Sequence, residues 1–249
     1  MTRRVTWLGH STVLIELGGA RILTDPVLRE RMLHLRRVGG PVDRAHHDEL
    51  DAVLISHVHH DHLDLPSLRL LDRERTRLVV PVGAGRLAAK EGFAALTELA
   101  PGGTTDIDGA HVRAVPAVHG GSRGPLGTKA ETLGFVVEGD GLRVYFAGDT
   151  DLFDEMTELG ALDLALIPVW GWGPKLGAGH LDPERAAEAI ALIEPRIAIP
   201  IHWGTFFPRL HRDRARRLTE PPREFASAAA RVAPAVDVRI LAQGDSLDL

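Results

Sequence analysis

Short apolar runs broken by glycine, proline and acidic residues set the rhythm of the first half of the chain. Val5–Leu8, Val13–Leu17 and Arg21–Thr24 predict three strands, with Gly18-Gly19 as the turn between the last two. Asp51–Ile55 is a strand with a continuous apolar run, and Leu65–Leu71 takes helical spacing after Pro66. Arg77–Val82 is a strand, Arg86–Lys90 belongs to a helix, and Thr104–Asp108 and His111–Val118 are strands again. Residues 28–48, rich in arginine, predict a loop or a short helix.

The second half alternates strands with helices. Leu133–Glu138 and Leu142–Ala147 flank Gly139-Asp140-Gly141, the strongest hairpin signal in the chain. Asp154–Leu159 predicts a short helix and Asp163–Val169 a strand. Asp182 then offers an N-cap and Pro183 a first helical residue for a helix over Pro183–Ile193, which Pro195 stops. Arg196–Ile201 is a buried strand, Arg223–Arg231 a helix and Val236–Leu241 a final strand. Strands gathered early and strands alternating with helices later predict an α+β sandwich, two sheets face to face with helices outside. No repeat, linker or low-complexity tract divides residues 1–249, so the expectation is one domain.

Composition narrows the chemistry. The chain has 249 residues, 44% of them apolar and 25% charged, with a formal net charge of -5. Mixed charge and net acidity give no global electrostatic case for nucleic acid. The absence of cysteine removes disulfides, thiolate zinc sites and cysteine nucleophiles, leaving His, Asp and Glu as donors. No apolar stretch approaches the roughly 20 residues that span a bilayer, and the first ten residues lack a signal-peptide core. A cytoplasmic location with no stable membrane insertion is expected.

The chemistry is concentrated where the strand Asp51–Ile55 ends, in Ser56-His57-Val58-His59-His60-Asp61-His62. Residues two apart in extended chain project to one side, so His57 and His59 can share one ion. Asp61 and His62 lie where the chain turns and face a second. His60 alternates out of the cluster. His119, Asp149 and His202 each follow an apolar strand, the usual place for a site at the carboxyl edge of a sheet. Two ions about 3.5–4 Å apart, bridged by a carboxylate and a hydroxide, form a hydrolytic centre. Imidazole-rich ligation suits Zn2+ first, with Mn2+ or Fe2+ next.

The HVHHDH run, followed by single His, Asp and His residues at strand ends, resembles the metallo-β-lactamase-fold superfamily. Thr6-Trp-Leu-Gly-His-Ser11, Leu23-Thr-Asp-Pro26, Ala147-Gly-Asp-Thr150, Gly179-His-Leu-Asp-Pro183 and His202-Trp-Gly-Thr-Phe206 resemble one branch of it. That branch holds N-acyl-phosphatidylethanolamine-hydrolysing phospholipase D and the ascorbate-6-phosphate lactonase-like hydrolases. The resemblance implies a four-layer αββα sandwich and a dinuclear centre. His57, His59 and His119 would bind one ion, Asp61, His62 and His202 the other, and Asp149 would bridge them. The implied activity is hydrolysis of an ester, lactone or phosphodiester in a small molecule. A phospholipase D-like phosphodiesterase and a metal-binding sensor or scaffold with a closed site are the alternatives.

Around that centre, Asp25 is either the partner of a motif histidine or a turn residue before Pro26. His10 sits in a Gly-His-Ser turn near the pocket by resemblance, or simply caps a hairpin. His180 and Asp61 are the catalytic candidates, His180 as proton donor to the leaving group. Trp170, Trp172 and Lys175 lie on a glycine-rich loop that could wall a pocket or cover a helix. Arg123 could hold a substrate anion or be solvated. Thr150 is expected to fix the loop behind Asp149. The arginines between Arg209 and Arg217 read as a solvated face, and a homo-oligomer stays open.

Overall fold

The structure is a computed structural model that describes residues 2–124, 127–171, 176–208 and 218–249. Three antiparallel strands open it: β1 (Arg4–Gly9), β2 (Thr12–Leu17) and β3 (Ala20–Thr24). A small hairpin, β4 (Arg31–Met32) and β5 (Leu35–Arg37), interrupts the sheet before β6 (Ala52–Leu54), helix α1 (Leu65–Leu68), β7 (Arg77–Pro81), helix α2 (Gly85–Ala88) and β8 (Ala95–Leu99). An antiparallel meander follows: β9 (Thr104–Ile107), β10 (Ala110–Pro116), β11 (Leu133–Gly139) and β12 (Leu142–Phe146). The chain then alternates β13 (Leu164–Pro168), helix α3 (Pro183–Ile193), β14 (Ile197–Ile201), β15 (Phe206–Pro208), helix α4 (Glu220–Val232), β16 (Asp237–Val238) and β17 (Ser246–Asp248).

These strands form two seven-stranded sheets, ordered β17-β1-β2-β3-β6-β7-β8 and β16-β14-β13-β12-β11-β10-β9, and a small three-stranded one, β15-β5-β4. In each large sheet, three antiparallel pairings give way to three parallel ones. Side chains alternate across each strand. Val13, Ile15 and Leu17 of β2 meet Phe135 and Val137 of β11, Val144 and Phe146 of β12 and Ile199 and Ile201 of β14 in the core between the sheets. Tyr145, Ala165, Ile167 and Ala198 face the other way, under Ala186, Ile190 and Ile193 of α3 and Phe225 of α4. Leu14, Leu23, Val53, Leu78 and Val80 are covered by Leu63, Leu68, Leu71, Ala84 and Ala88. Strands buried on both faces explain the continuous apolar runs, and the result is four layers, helix, sheet, sheet, helix.

The α3 start forms as the sequence predicts. Asp182 Oδ1 accepts the Arg185 N–H at 2.9 Å, and Pro183 needs no donor there. Other boundaries shift. Leu65–Leu71 gives a single turn ending at Leu68. Residues 28–48 hold the β4–β5 hairpin as well as a 3-10 turn at Arg44–His46, because β5 finds a partner in β15 from far along the chain. Only Asp237–Val238 of the predicted last strand pairs, with β14. Strands β8, β15 and β17 carry no sequence signal: each is short and gains its order from one neighbour.

Candidate metal centre

One edge of the sandwich collects the polar residues. His10 follows β1, Asp25 follows β3, Ser56 and His57 follow β6, His119 follows β10, Asp149 follows β12 and His202 follows β14. These strand ends point the same way because the intervening pairings are either parallel or twice reversed. Main-chain bonds lock the two sheets together there: His202 N–H donates to His10 O at 2.9 Å and Leu133 N–H to Ser56 O at 2.9 Å. Three residues at this edge, His10, Asp25 and His202, hold left-handed backbone at φ 55°, 34° and 63°. Such strain persists only where the surroundings over-determine it, and it concentrates at functional sites.

Two donor groups face each other. In the first, His59 Nδ1 lies 2.9 Å from His57 Nε2 and 3.0 Å from His119 Nε2. In the second, Asp61 Oδ2 lies 3.2 Å from His10 Nε2, 3.7 Å from His62 Nε2 and 3.8 Å from His202 Nε2. Asp149 stands between them, 3.3 Å from both His62 Nε2 and His202 Nε2 and 4.0 Å from His119 Nε2. Both groups are compact enough to hold a metal ion.

The outward nitrogens explain why the inward ones converge. His62 Nδ1–H donates to Asp25 Oδ2 at 2.7 Å. His57 Nδ1 meets Ser56 Oγ at 3.0 Å, and that hydroxyl in turn donates to Asp25 Oδ2. His119 Nδ1–H is held by Gly179 O at 2.6 Å, and His202 Nδ1–H by Trp170 O. Carbonyls and carboxylates only accept, so each of these partners places the proton on Nδ1 and the lone pair of Nε2 inward. This is the arrangement that metal-binding imidazoles use. Gly179 must be glycine, since its φ is +84° and a Cβ would lie 3.2 Å from His119 Nδ1.

The centre holds buried polar atoms that the protein leaves unsatisfied. His62 Nε2 and Asp149 Oδ1 are buried with no hydrogen bond. Burial would raise Asp149, but the imidazoles of His202 and His62 hold its carboxyl well below the usual range. Burial likewise opposes ionisation of Asp61, and His62 and His10 overcome it. His62 moves the other way: against its burial, Asp149, Asp61 and Asp25 push it well above an ordinary histidine. Burial lowers His57 and His59 and takes His119 down to about 4, so the first group is neutral imidazole. Three inward imidazole nitrogens around one point, and a pocket where Asp61 and Asp149 meet the Nε2 atoms of His62 and His202, both fit divalent cations.

The remaining sequence candidates are placed as follows. Asp25 is fully buried and takes the Ser56 N–H on Oδ1 at 2.7 Å. His180 Nε2 sits 3.9 Å from Asp149 Oδ2, with its side chain 28% exposed. Thr150 Oγ1 accepts the Val118 N–H at 3.0 Å, behind Asp149. Trp170 gives its carbonyl to His202 and stacks its ring on Phe207 at 5.4 Å. His60 is exposed and outside both groups. Trp172, Lys175 and Arg209–Arg217 lie outside the described residues.

Two placements add to the sequence reading. Arg123, read as holding a substrate anion or as solvated, gives its Nη1 to Val58 O at 2.6 Å and Leu63 O at 2.9 Å. It braces the loop that carries the motif histidines, because that turn leaves two carbonyls facing it. His10, expected beside the pocket, is buried inside the second donor group. Its position directly after an apolar strand was the same signal that marked His119 and His202. Ser56, the link between Asp25 and His57, carried no signal beyond its place in the motif.

Comparisons with known proteins agree with this geometry. The family model described as a beta-lactamase superfamily domain matches residues 20–203. A metal-dependent hydrolase of Methanopyrus kandleri is 33% identical over 253 residues, covering 98% of this chain and 99% of that one. The N-acyl-phosphatidylethanolamine-hydrolyzing phospholipase D 1 of Caenorhabditis elegans is 33% identical over 227 residues, 81% of this chain and 64% of the nematode protein. Among solved structures, Igni18, a metallo hydrolase of Ignicoccus hospitalis, superposes with a TM-score of 0.75 at 26% identity, covering 100% of this chain and 99% of that one. The family match, the full-length relatives and the four-layer sandwich together show that this chain belongs to the beta-lactamase superfamily, among its metal-dependent hydrolases.

Proposed function

We propose that the chain is a dinuclear hydrolase of small molecules that carry an ester, lactone or phosphodiester bond. His57, His59 and His119 hold one ion, Asp61, His62 and His202 the other, and Asp149 serves both. The observation that carries this reading is Asp149 itself, a buried carboxylate within 4.0 Å of imidazoles from both donor groups. Imidazole and carboxylate donors without thiolate suit zinc, then manganese or iron(II). Two such ions, when bound, supply Lewis acidity at a carbonyl or phosphoryl oxygen and make a water acidic enough to react near neutral pH.

The chain's own residues do the rest. Asp25, Gly179 and Trp170 take the Nδ1–H of His62, His119 and His202, which turns each Nε2 inward. Asp61, 16% exposed, orients the nucleophile from the rim. His180 Nε2 faces Asp149 from the solvent side and is placed to return a proton to the leaving group. Solvent contact at Asp61 and His180 favours an open enzyme site over a sealed metal scaffold. A phosphodiester substrate of the phospholipase D kind is the second reading, supported by the identity to the nematode enzyme.

Metal analysis of the purified protein tests the centre. Wild type should carry two equivalents of transition metal, and His57→Ala and Asp149→Ala should each lose at least one. A wild type with no tightly held metal defeats the reading. A panel of lactone, phosphodiester and thioester substrates, with zinc or manganese added, then separates the bond classes. On the substrate found, His180→Ala should keep its metal and lose about 10²–10⁴-fold in turnover.

A further inference from the structure

His10 is tied into the second donor group twice, once through its main chain and once through its ring. Its carbonyl accepts the N–H of His202 at 2.9 Å and the Trp7 Nε1–H at 2.9 Å. Its own N–H donates to Thr205 Oγ1 at 2.6 Å. These bonds hold it in left-handed backbone at φ 55°, a region that few non-glycine residues occupy. The ring is 1% exposed, lies 4.0 Å from the His202 ring and meets Phe206 edge-on at 5.9 Å. Its Nε2 ends 3.2 Å from Asp61 Oδ2.

We infer that His10 is a positioning residue for the second metal position, donating its Nε2–H to Asp61 Oδ2 and thereby aiming that carboxylate at the point where His62 and His202 converge. An ionised carboxylate only accepts, so the bond places the proton on Nε2. Asp61 otherwise sits on a turn at the rim, where an aspartate has several rotamers available. The main-chain bond from His202 makes the arrangement concerted: one residue sets the place of two donors. The first position is built from His57, His59 and His119, a group separate from the one that includes His10. The inference rests on the dinuclear reading above and deepens it.

The test compares His10→Leu, His10→Gln and wild type in chelator-competition titrations with Zn2+ and in the visible spectrum after Co2+ loading. Leucine fills the space without a donor, whereas glutamine keeps an N–H at similar reach. The leucine variant should bind its second equivalent 10–100-fold more weakly, the range typical for lost partners of metal ligands, and its first equivalent unchanged. The glutamine variant should stay within about threefold of wild type and keep the wild-type two-cobalt spectrum. Circular dichroism checks folding, and His10→Met replaces the leucine variant if that one does not fold. Leucine and glutamine variants equally weakened, with an altered cobalt spectrum in both, would mean that His10 ligates rather than positions, and would overturn the inference. Two equivalents bound at wild-type affinity in the leucine variant would also overturn it. A wild type that takes up only one ion would instead defeat the dinuclear reading.

Discussion

Replacing Asp25 by asparagine changes almost no volume but reverses one hydrogen bond at the centre. Asp25 is fully buried and its carboxylate receives the Ser56 N–H at 2.7 Å, the Ser56 hydroxyl, and the His62 Nδ1–H at 2.7 Å. In Asp25→Asn the amide oxygen can still take the Ser56 N–H, which leaves the NH2 group facing Ser56 Oγ and His62 Nδ1. A donor there favours the His62 tautomer whose Nδ1 accepts, and the proton moves to Nε2, the atom that faces Asp149 and Asp61. Metal must then displace that proton and break the new bond. Losing a charge-assisted hydrogen bond costs about 1.5–3 kcal/mol. Partner substitutions behind metal-bound histidines lose about 10–100-fold in affinity, or about 1.4–2.7 kcal/mol. The two figures agree, so we expect a 10–100-fold weaker Kd at the second position, and a smaller loss at the first through Ser56. Competition with a chromophoric chelator measures the Kd values, and long-range ¹H–¹⁵N correlation of the imidazoles reads the tautomer. An asparagine variant with wild-type affinity and His62 still protonated on Nδ1 would refute the reasoning.

Two further outcomes follow from the same geometry. Metal uptake should depend on pH unequally at the two positions. His62 and His202 are raised above the ordinary histidine value, against their burial, by Asp149 and Asp61. Metal must therefore expel protons at the second position, and affinity there should climb as pH rises above about 6.5. The first position, with His119 near 4 and His57 and His59 also lowered, should show a nearly flat profile over that range. Calorimetry in buffers of different ionisation enthalpy counts the protons, and equal slopes at both positions would contradict the assignment. Gly148→Ala should destabilise the fold by about 2–4 kcal/mol, combining a left-handed backbone penalty with overpacking. Its φ is +62°, and a Cβ would meet Ser56 Cβ at 2.7 Å and Leu133 O at 2.9 Å. Asp149 lies next to it, so metal content should fall too; a denaturation midpoint equal to wild type would contradict this.

The sequence by itself determined the strands buried on both faces, the cap that starts α3, and the strand-end positions that carry His119, Asp149 and His202. Each is a local property: side-chain period, a capping residue, or a polar residue directly after an apolar run. It also separated His57 and His59 from Asp61 and His62, because alternation pairs the first two and the chain turns at the second two. The tertiary structure alone decided the rest. Strands β15 and β17 exist because β5 and β1 offer edges far away in the chain, and a two- or three-residue strand has no period to read. Arg123 braces the motif loop because folding brings the carbonyls of Val58 and Leu63 to it from about sixty residues upstream. His10 enters the second donor group for the same reason: its Nε2 meets an aspartate 51 residues later. Sequence shows which side chains can hold a metal; the directions in which their protons point are set by Asp25, Ser56 and two carbonyls that only the fold brings within reach.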